Sequence, residues 1–188
     1  TFAKNLKENS AVFLKKIKEE KKFVYLQRKV EKKIADEISR YNLKGVTKTA
    51  DYSRFYPFLN TASQVIGFTN VDNNGLSGIE GQFNNILQGK DGKSIFKIDA
   101  MGREFHDPSY LYEPPQNGSS LILTLDLIYQ TIAEEELKKA VNENNAKSGM
   151  VIIMEPKSGE ILALTSWPDF NPNLPLKYRT SDYKNRII

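Results

Sequence analysis

The chain has 188 residues, of which 39% are hydrophobic, so it is long enough for one or two domains with a buried core. It contains no cysteine and one histidine, His106, which excludes disulfides, thiolate metal sites, a cysteine nucleophile and a cluster of histidine ligands. The net charge of +4 arises at the start, because residues 1–45 hold 13 Lys/Arg against 6 Asp/Glu.

This basic start allows a surface for nucleic acid or anionic membrane. Acidic residues interrupt the lysines, however, and no nucleic-acid-binding signature accompanies them, which favours a solvated helix face. No apolar run approaches the roughly 18–20 residues of a membrane span, and no signal peptide opens the chain. The first residue is Thr, so we expect the N-terminus to be a processing or expression boundary. No cofactor or metal site is predicted.

Residues 1–45 are predicted to form a small helical subdomain. A first helix begins with Ser10 as its N-cap. The apolar stripe expected to face a core is Val12, Phe13, Leu14 and Ile17. Residues 23–26 are predicted to be a short strand. A second helix is expected to end at Gly45 as its C-cap. Its apolar residues at helical spacing are Val30, Ile34 and Ile38.

The middle of the chain alternates between short elements and turns. Residues 65–68 are predicted to be a strand, and residues 72–75 form a loop of residues that accept left-handed torsions. Ser77 and Glu80 have the spacing of a capping box at the start of a short helix, which Gly89 closes.

Two further strands, residues 94–99 and 102–105, are predicted around a turn. The segment 107–120 is rich in Pro, Asn and Gly, as interdomain linkers are. The sequence therefore predicts two domains, residues 1–118 and 119–188, the second of them incomplete.

The second domain is predicted to open with a strand at residues 119–125 and a longer helix that Asp126 caps. The inward stripe of that helix is Ile128, Ile132, Leu137, Ala140 and Val141. Two apolar runs, residues 150–154 and 161–164, then flank a turn at residues 156–159, which is typical of a β-hairpin. Because the runs are nearly continuous, we expect both faces to be covered, as in a central part of a larger sheet.

Three patterns imitate catalytic motifs. Ser94 with Lys97, and Ser181 with Lys184, fit the spacing S-x-x-K of a nucleophilic serine and its lysine. Such matches arise by chance in a chain rich in Ser and Lys, and neither pair is predicted to lie on a helix that would align them. The sequence KSG at residues 157–159 is better explained as the hairpin turn. No complete catalytic constellation is predicted.

Several motifs resemble those of class B penicillin-binding proteins, in the same order and at similar intervals. The matching stretches are RFYP at 54–57, ASQVIGF at 62–68, GLSGIE at 75–80, GKDG at 89–92, DAMGR at 99–103, QNG at 116–118 with LTLD at 123–126, the hairpin, FNPN at 170–173 and NR at 185–186. The positions that carry the structural motifs are Arg54, Tyr56, Pro57, Gly67, Gly78, Glu80, Gly92, Asp99, Gly102 and Arg103.

This resemblance implies an α+β fold: an elongated non-catalytic pedestal with a small helical subdomain and mixed strands, followed by the helix and hairpin that begin a transpeptidase sheet. The implied parent is a serine-type peptidoglycan D,D-transpeptidase, whose nucleophile is expected beyond Ile188. Catalytic residues are therefore not assigned within this chain. FVYLQRKV at 23–30 and VIGFTNVDNNGLSGIE at 65–80 are more similar to the septal, cell-division branch than to the elongation branch.

The resemblance also implies partners and a location. These are a septal glycan polymerase and other division proteins, with stem peptides and β-lactams bound by the parent only. The parent is expected at the cell exterior or in the periplasm, anchored to the cytoplasmic membrane by a segment absent here. Two alternatives stay open: an elongation-type protein, or a non-enzymatic interaction module that uses the basic start.

Arg54 and Glu80 are the charged members of motifs otherwise made of turn and apolar residues. We hypothesise that they form an ion pair that joins two parts of the pedestal. The alternative is that Glu80 acts in the capping box and Arg54 is solvated. Tyr56, Pro57, Gly67, Gly78 and Gly92 are interpreted as architectural, with the glycines allowing tight backbone paths and Pro57 ending a strand.

Overall fold

The structure, a computed structural model, describes residues 10–18, 23–95, 97–98, 104–105 and 111–187. The chain divides into two compact units, Thr1–Ser53 and Arg54–Ile188. Helices are combined with small antiparallel sheets, so the predicted α+β class is confirmed. The motif residues Asp99, Gly102 and Arg103, like His106, lie outside the described residues.

The first unit contains helices α1 (Ser10–Lys18) and α2 (Lys32–Ser39). Phe13 is the buried residue of α1, whereas Val12, Leu14 and Ile17 are each at least 44% exposed, so most of the predicted inward stripe is wrong. These apolar residues lie on several sides of a helix only nine residues long, and one partner surface cannot cover them all.

Two other predictions for this unit are wrong. Residues 23–26 form no strand; instead the rings of Phe23 and Tyr25 pack edge to face, with centroids 4.8 Å apart. Helix α2 ends at Ser39 rather than at Gly45, and the C-cap is Arg40 in a right-handed conformation. Gly45 has a positive φ of 83° in a separate turn.

The second unit begins with three short helices, α3 (Ser63–Ile66), α4 (Gly78–Gln82) and α5 (Asn84–Leu87). The predicted strand at residues 65–68 is wrong, because α3 and Gly67 occupy it. The capping box is also wrong: Ser77 precedes α4 but its side chain makes no cap hydrogen bond, and the Glu80 carboxylate is engaged elsewhere.

Among the described residues, short strands follow: β1 (Lys93–Ser94), β2 (Lys97–Ile98), β3 (Glu104–Phe105) and β4 (Tyr112–Glu113). Strand structure is present in parts of both predicted strands, as β2 and β3, which pair antiparallel. Ser94 belongs instead to β1, which pairs with β4. The described part of the Pro-rich segment therefore folds back onto residues 90–94, where Gln116 also bridges to Lys90.

Helix α6 (Leu127–Glu143) and the hairpin of β5 (Gly149–Met154) and β6 (Ile161–Trp167) complete the unit. The predicted cap is confirmed, since Asp126 Oδ1 accepts the amide hydrogens of Ile128 and Tyr129 at 2.8 and 3.1 Å. The hairpin is confirmed too: β5 and β6 are antiparallel, from Gly149 opposite Trp167 to Met154 opposite Ile161.

Other expectations for this region are wrong. Residues 119–125 form no strand, although Thr124 Oγ1 donates to Ile161 O at 2.7 Å. The buried face of α6 consists of Gln130, Ala133, Leu137 and Val141. The predicted Ile128, Ile132 and Ala140 are exposed. Strand β5 alternates between half-buried and exposed residues, so only β6, with four consecutive buried residues, resembles a strand covered on both faces.

Candidate functional site

The interior of the second unit contains buried polar side chains as well as apolar ones. Its buried polar residues are Ser63, Gln64, Glu80, Gln130, Thr165 and Ser166. A buried polar group is destabilising unless it is hydrogen-bonded. The partners of these groups therefore define the candidate site.

Gln130, which is 1% exposed, lies one turn into α6 and pairs with the backbone of β6. Its Oε1 accepts the N–H of Leu164 at 2.9 Å, and its Nε2 donates to the carbonyl of Leu164 at 3.1 Å. The amide thus satisfies the same two backbone groups that a neighbouring strand would satisfy. This explains why a glutamine occupies the buried stripe of α6.

Glu134 links α6 to the start of α3. Its Oε1 accepts the N–H of Ala62 at 2.8 Å and a hydrogen of Gln130 Nε2 at 2.7 Å. Ala62 is the N-cap of α3 and has a left-handed backbone, with φ of 52°. Burial raises the pKa of Glu134, and the nearby Asp169 charge acts in the same direction, while the hydrogen bonds that the carboxylate accepts oppose the shift.

Gln64, at 5% exposure, contacts the end of β6 and the residues beyond it. Its Nε2 donates to the carbonyls of Ser166 at 3.2 Å and Pro168 at 2.8 Å. Its neighbour Ser63 is fully buried, and Ser63 Oγ accepts the N–H of Phe170 at 3.4 Å. Helix α3 is therefore bonded to the chain on both sides of Asp169.

Asn173 pairs with Tyr56 in the same manner as Gln130 pairs with Leu164. The Oδ1 of Asn173 accepts the N–H of Tyr56 at 2.9 Å, and its Nδ2 donates to the Tyr56 carbonyl at 2.8 Å. We refer to Gln64, Gln130 and Asn173 as the amide junction. The junction joins residues 56–64 and α6 to residues 164–173.

The Tyr56 side chain is itself buried, at 7% exposure. Burial, together with the negative charge of Glu80, raises the pKa of the Tyr56 hydroxyl to about 12. Because the pKa of this hydroxyl is higher in the folded chain than in the unfolded chain, stability falls as the pH rises from the ordinary tyrosine pKa towards the raised one. The hydroxyl is accordingly neutral at physiological pH.

An aromatic cluster fills the space beside the amide junction. Phe170 is fully buried, and its ring centroid lies 5.7 Å from that of Phe68 and 4.9 Å from that of Tyr183, both in edge-to-face geometry. The ring centroid of Tyr178 lies 6.1 Å from that of Phe170. The Tyr183 hydroxyl donates to the carbonyl of Pro175. These rings pack residues 168–183 against the end of the ASQVIGF stretch.

The hypothesised ion pair is present. Arg54 Nε lies 2.6 Å from Glu80 Oε1, with the Glu80 side chain 5% exposed and the Arg54 side chain 50% exposed. The Arg54 guanidinium also lies over the Tyr56 ring, 5.9 Å from its centroid. Tyr56 thus lies beside the predicted Arg54–Glu80 pair.

Gly67 and Gly78 are required by a close backbone approach. A Cβ on Gly67 would lie 1.9 Å from the carbonyl oxygen of Ser77, and one on Gly78 would lie 2.4 Å from that of Val65. Both residues have positive φ, 79° and 56°. A Cβ on Gly92 would lie 2.7 Å from the Glu113 carbonyl, so Gly92 too lies close to a second backbone segment, beside the paired strands β1 and β4.

The catalytic look-alikes do not form a reaction centre. Ser94 and Lys97 lie on different strands, β1 and β2. Ser181 Oγ donates to the Asp182 carboxylate at 3.0 Å and is exposed. The KSG stretch is the hairpin turn, with Gly159 at φ of 77°.

Two kinds of feature are missing from the part of the chain that the structure describes. No helix there is both long and apolar enough to cross a membrane. Nor do those same ranges contain a group of three or more His, Asp or Glu side chains that could hold a metal ion. Pro57 is exposed and begins a run of turns, and residues 51–56 before it form no strand, so the prediction that Pro57 ends a strand is wrong.

Sequence reasoning missed Gln64, Gln130, Glu134 and Asn173. The one available signal was Gln130, which falls in register with Ala133, Leu137 and Val141 and so marks a polar group on the buried face of α6. The others act through residues more than 70 positions away in the chain, which no local pattern encodes.

The fold and the site define a scaffold, in which buried polar groups bind backbone rather than surround a reaction centre. Residues 1–123 match the family described as Penicillin-binding Protein dimerisation domain. The match covers more than half of the chain, and the chain belongs to this family.

Relatives and solved structures extend the similarity to nearly the whole chain. The probable peptidoglycan D,D-transpeptidase PenA of Neisseria gonorrhoeae is 36% identical over 169 residues, which are 89% of this chain and 29% of that protein. The peptidoglycan D,D-transpeptidase FtsI of Buchnera aphidicola subsp. Schizaphis graminum is 37% identical over 167 residues, with the same two shares.

The crystal structure of penicillin binding protein 2X from Streptococcus thermophilus has the same fold. The TM-score is 0.61 at 22% identity, over 98% of this chain and 30% of that one. The chain thus spans under a third of the length of the curated relatives it matches.

Proposed function

We propose that this chain is the non-catalytic scaffold of a class B penicillin-binding protein, a serine-type peptidoglycan D,D-transpeptidase. Residues 1–118 are its pedestal, with residues 1–45 as a helical subdomain, and residues 119–188 begin its transpeptidase domain. The family match, the names of the relatives and the ordered motif series support this assignment.

The observation that carries the proposal is the amide junction. It bonds residues 56–64, which lie in two of the pedestal motifs, to residues 168–173, which follow the first strands of the proposed catalytic sheet. A scaffold that positions a catalytic domain needs such fixed contacts, whereas an independent interaction module does not.

In the parent, a serine beyond Ile188 attacks the penultimate D-Ala carbonyl of a stem pentapeptide. The bond to the terminal D-Ala breaks and that residue leaves, which gives an acyl-enzyme. An amine of a neighbouring strand then attacks the ester and releases the serine, so that a cross-link forms. A β-lactam acylates the same serine. The present chain holds this domain away from the membrane and contacts partner proteins.

We propose further that the parent acts in septal wall synthesis, with a glycan polymerase and other division proteins as partners. It would work outside the cytoplasmic membrane, anchored by a segment that precedes this chain. The similarity of residues 23–30 and 65–80 to the septal branch supports this assignment. A full-length protein that binds an elongation polymerase and does not bind the septal polymerase would contradict this assignment.

A fluorescent penicillin tests the enzymatic assignment. The full-length protein should become covalently labelled, and replacing the serine of an S-x-x-K sequence downstream of Ile188 by alanine should abolish labelling. The 188-residue chain serves as the matched control and should stay unlabelled. Full-length protein that stays unlabelled with this serine intact, or labelling of the 188-residue chain, would contradict the proposal. Steeply salt-sensitive DNA binding by residues 1–45 would favour the interaction module instead.

A further inference from the structure

Two members of the amide junction, Gln64 and Asn173, control the chain that leaves β6. Gln64 Nε2 donates to the carbonyls of Ser166 and Pro168, and it lies 3.5 Å from that of Asp182. The Asn173 amide exchanges two hydrogen bonds with the backbone of Tyr56. Residues 166–182 are thus held at their beginning, middle and end.

These residues depend on side chains for their path. Beyond β6 the described chain contains two 3₁₀ turns, Pro175–Lys177 and Thr180–Asp182, and no strand of the hairpin continues into it. A planar amide bonds its partners only at defined distances and directions, whereas apolar contacts allow sliding. Gln64 is also 5% exposed, so water does not readily replace its bonds.

We propose that Gln64 and Asn173 are positioning residues for the acylation step. They fix the path by which residues 166–182 lead from β6 towards the nucleophilic serine, and neither touches the substrate. This inference rests on the proposed function, which places that serine in the chain after Ile188.

The test uses the full-length protein with Gln64→Met and Asn173→Leu, which keep side-chain size and remove the hydrogen bonds. Acylation by a fluorescent penicillin is measured at saturating concentration, well below every unfolding midpoint. We expect the limiting rate constant to fall on the order of tenfold to a hundredfold, because a small displacement of a reacting group has effects of this size. The penicillin concentration for half-maximal rate should change less.

Leu137→Ala is the matched control. Leu137 packs against Gly149 in the core between α6 and the hairpin, so its truncation removes buried apolar volume without removing a side-chain hydrogen bond to residues 166–182. The variant should unfold at a lower temperature and retain the wild-type acylation rate. A merely structural role for Gln64 and Asn173 would make all three variants behave alike.

The outcomes are distinguishable. Wild-type acylation rates in folded Gln64→Met and Asn173→Leu overturn the inference, as does an equal loss in Leu137→Ala. If Gln64→Met does not fold, Asn173→Leu is judged by the same two criteria. Absence of labelling in the unaltered full-length protein contradicts the proposed function itself, and with it the positioning role.

Discussion

Removal of either partner of the Arg54–Glu80 pair should destabilise the second unit, and the two losses should not add. Arg54→Ala leaves a carboxylate that is 5% exposed without its 2.6 Å partner, whereas Glu80→Ala leaves a guanidinium that is half exposed and can be hydrated. The arginine substitution should therefore be the more damaging of the two.

The magnitude follows from the burial of each partner. Two unit charges about 4 Å apart interact by about 4 kcal/mol at an effective dielectric of about 20, and by about 1 kcal/mol in water. Breaking a fully buried pair costs about 3–5 kcal/mol, and exposed pairs are worth about 0–1 kcal/mol. Because Arg54 is 50% exposed, we expect the free energy of unfolding to fall by about 2–4 kcal/mol for Arg54→Ala and by about 1–2 kcal/mol for Glu80→Ala. The coupling between the two substitutions should be about 1–2 kcal/mol.

A double-mutant cycle by urea unfolding of the 188-residue chain measures this coupling. The exposed pair Lys139–Glu136, with an N–O distance of 2.5 Å and side chains 61% and 64% exposed, provides the control cycle. Its coupling should stay below about 0.5 kcal/mol. Additive losses for Arg54 and Glu80, or a coupling no larger than that of the control, would refute the reasoning.

Three further predictions concern single residues. Gly67→Ala should lower the free energy of unfolding by more than about 3 kcal/mol, because its Cβ would lie 1.9 Å from the Ser77 carbonyl oxygen. Gly45 has a similar φ, but among the described residues it lies in open space. Gly45→Ala should therefore lower the free energy by about 1 kcal/mol in the same unfolding assay. Asp126→Ala should lower the free energy of unfolding by about 1 kcal/mol, because the N-cap hydrogen bonds of α6 are lost. An unchanged midpoint of urea unfolding would contradict this. Burial raises the pKa of Glu134, so ionisation opposes folding, and the stability should fall as the pH rises from the ordinary carboxyl pKa to the raised one. Glu134→Gln should remove this fall. Parallel plots of stability against pH for the wild type and the variant would contradict the prediction.

The elements that local chemistry determines were predictable. The hairpin follows from two apolar runs around a turn with Gly159, and the start of α6 follows from Asp126, whose side chain reaches amides two and three residues ahead. In both cases the groups that decide the structure lie within a few residues of one another, so a pattern in the sequence contains them.

The elements that distant contacts determine were not predictable. The run at residues 65–68 has strand-like composition, yet the left-handed Ala62 and the Gly67 contact with Ser77 make it a helical turn. In α6 the apolar rule placed Ile128 and Ile132 inside, but both are more than 50% exposed. Gln130 takes the interior because Leu164 offers it both backbone groups, a partner 34 residues away.

Part of the candidate site, the Arg54–Glu80 pair, could be predicted from the sequence. Arg54 and Glu80 could be paired as hypothetical partners, because charged residues in otherwise apolar or turn-forming motifs are conspicuous. Gln64 lies in the ASQVIGF stretch and Asn173 in FNPN, but both side chains are uncharged and the sequence around them does not indicate their bonding partners. Their role appears only once residues more than 100 positions apart are adjacent.

The polar character of these contacts has a consequence for how the two predicted domains work together. Residues 54–188 form one compact unit, and Glu134, Gln64 and Asn173 each bond across the proposed boundary at residues 118–119. An apolar interface tolerates small displacements, but a side-chain hydrogen bond is lost when its partner moves by about an ångström. Displacement of residues 56–64 must therefore either move residues 164–173 with it or leave buried donors unpaired. Within the proposed scaffold, a displacement of residues 56–64 would in this way reach the chain that leaves β6.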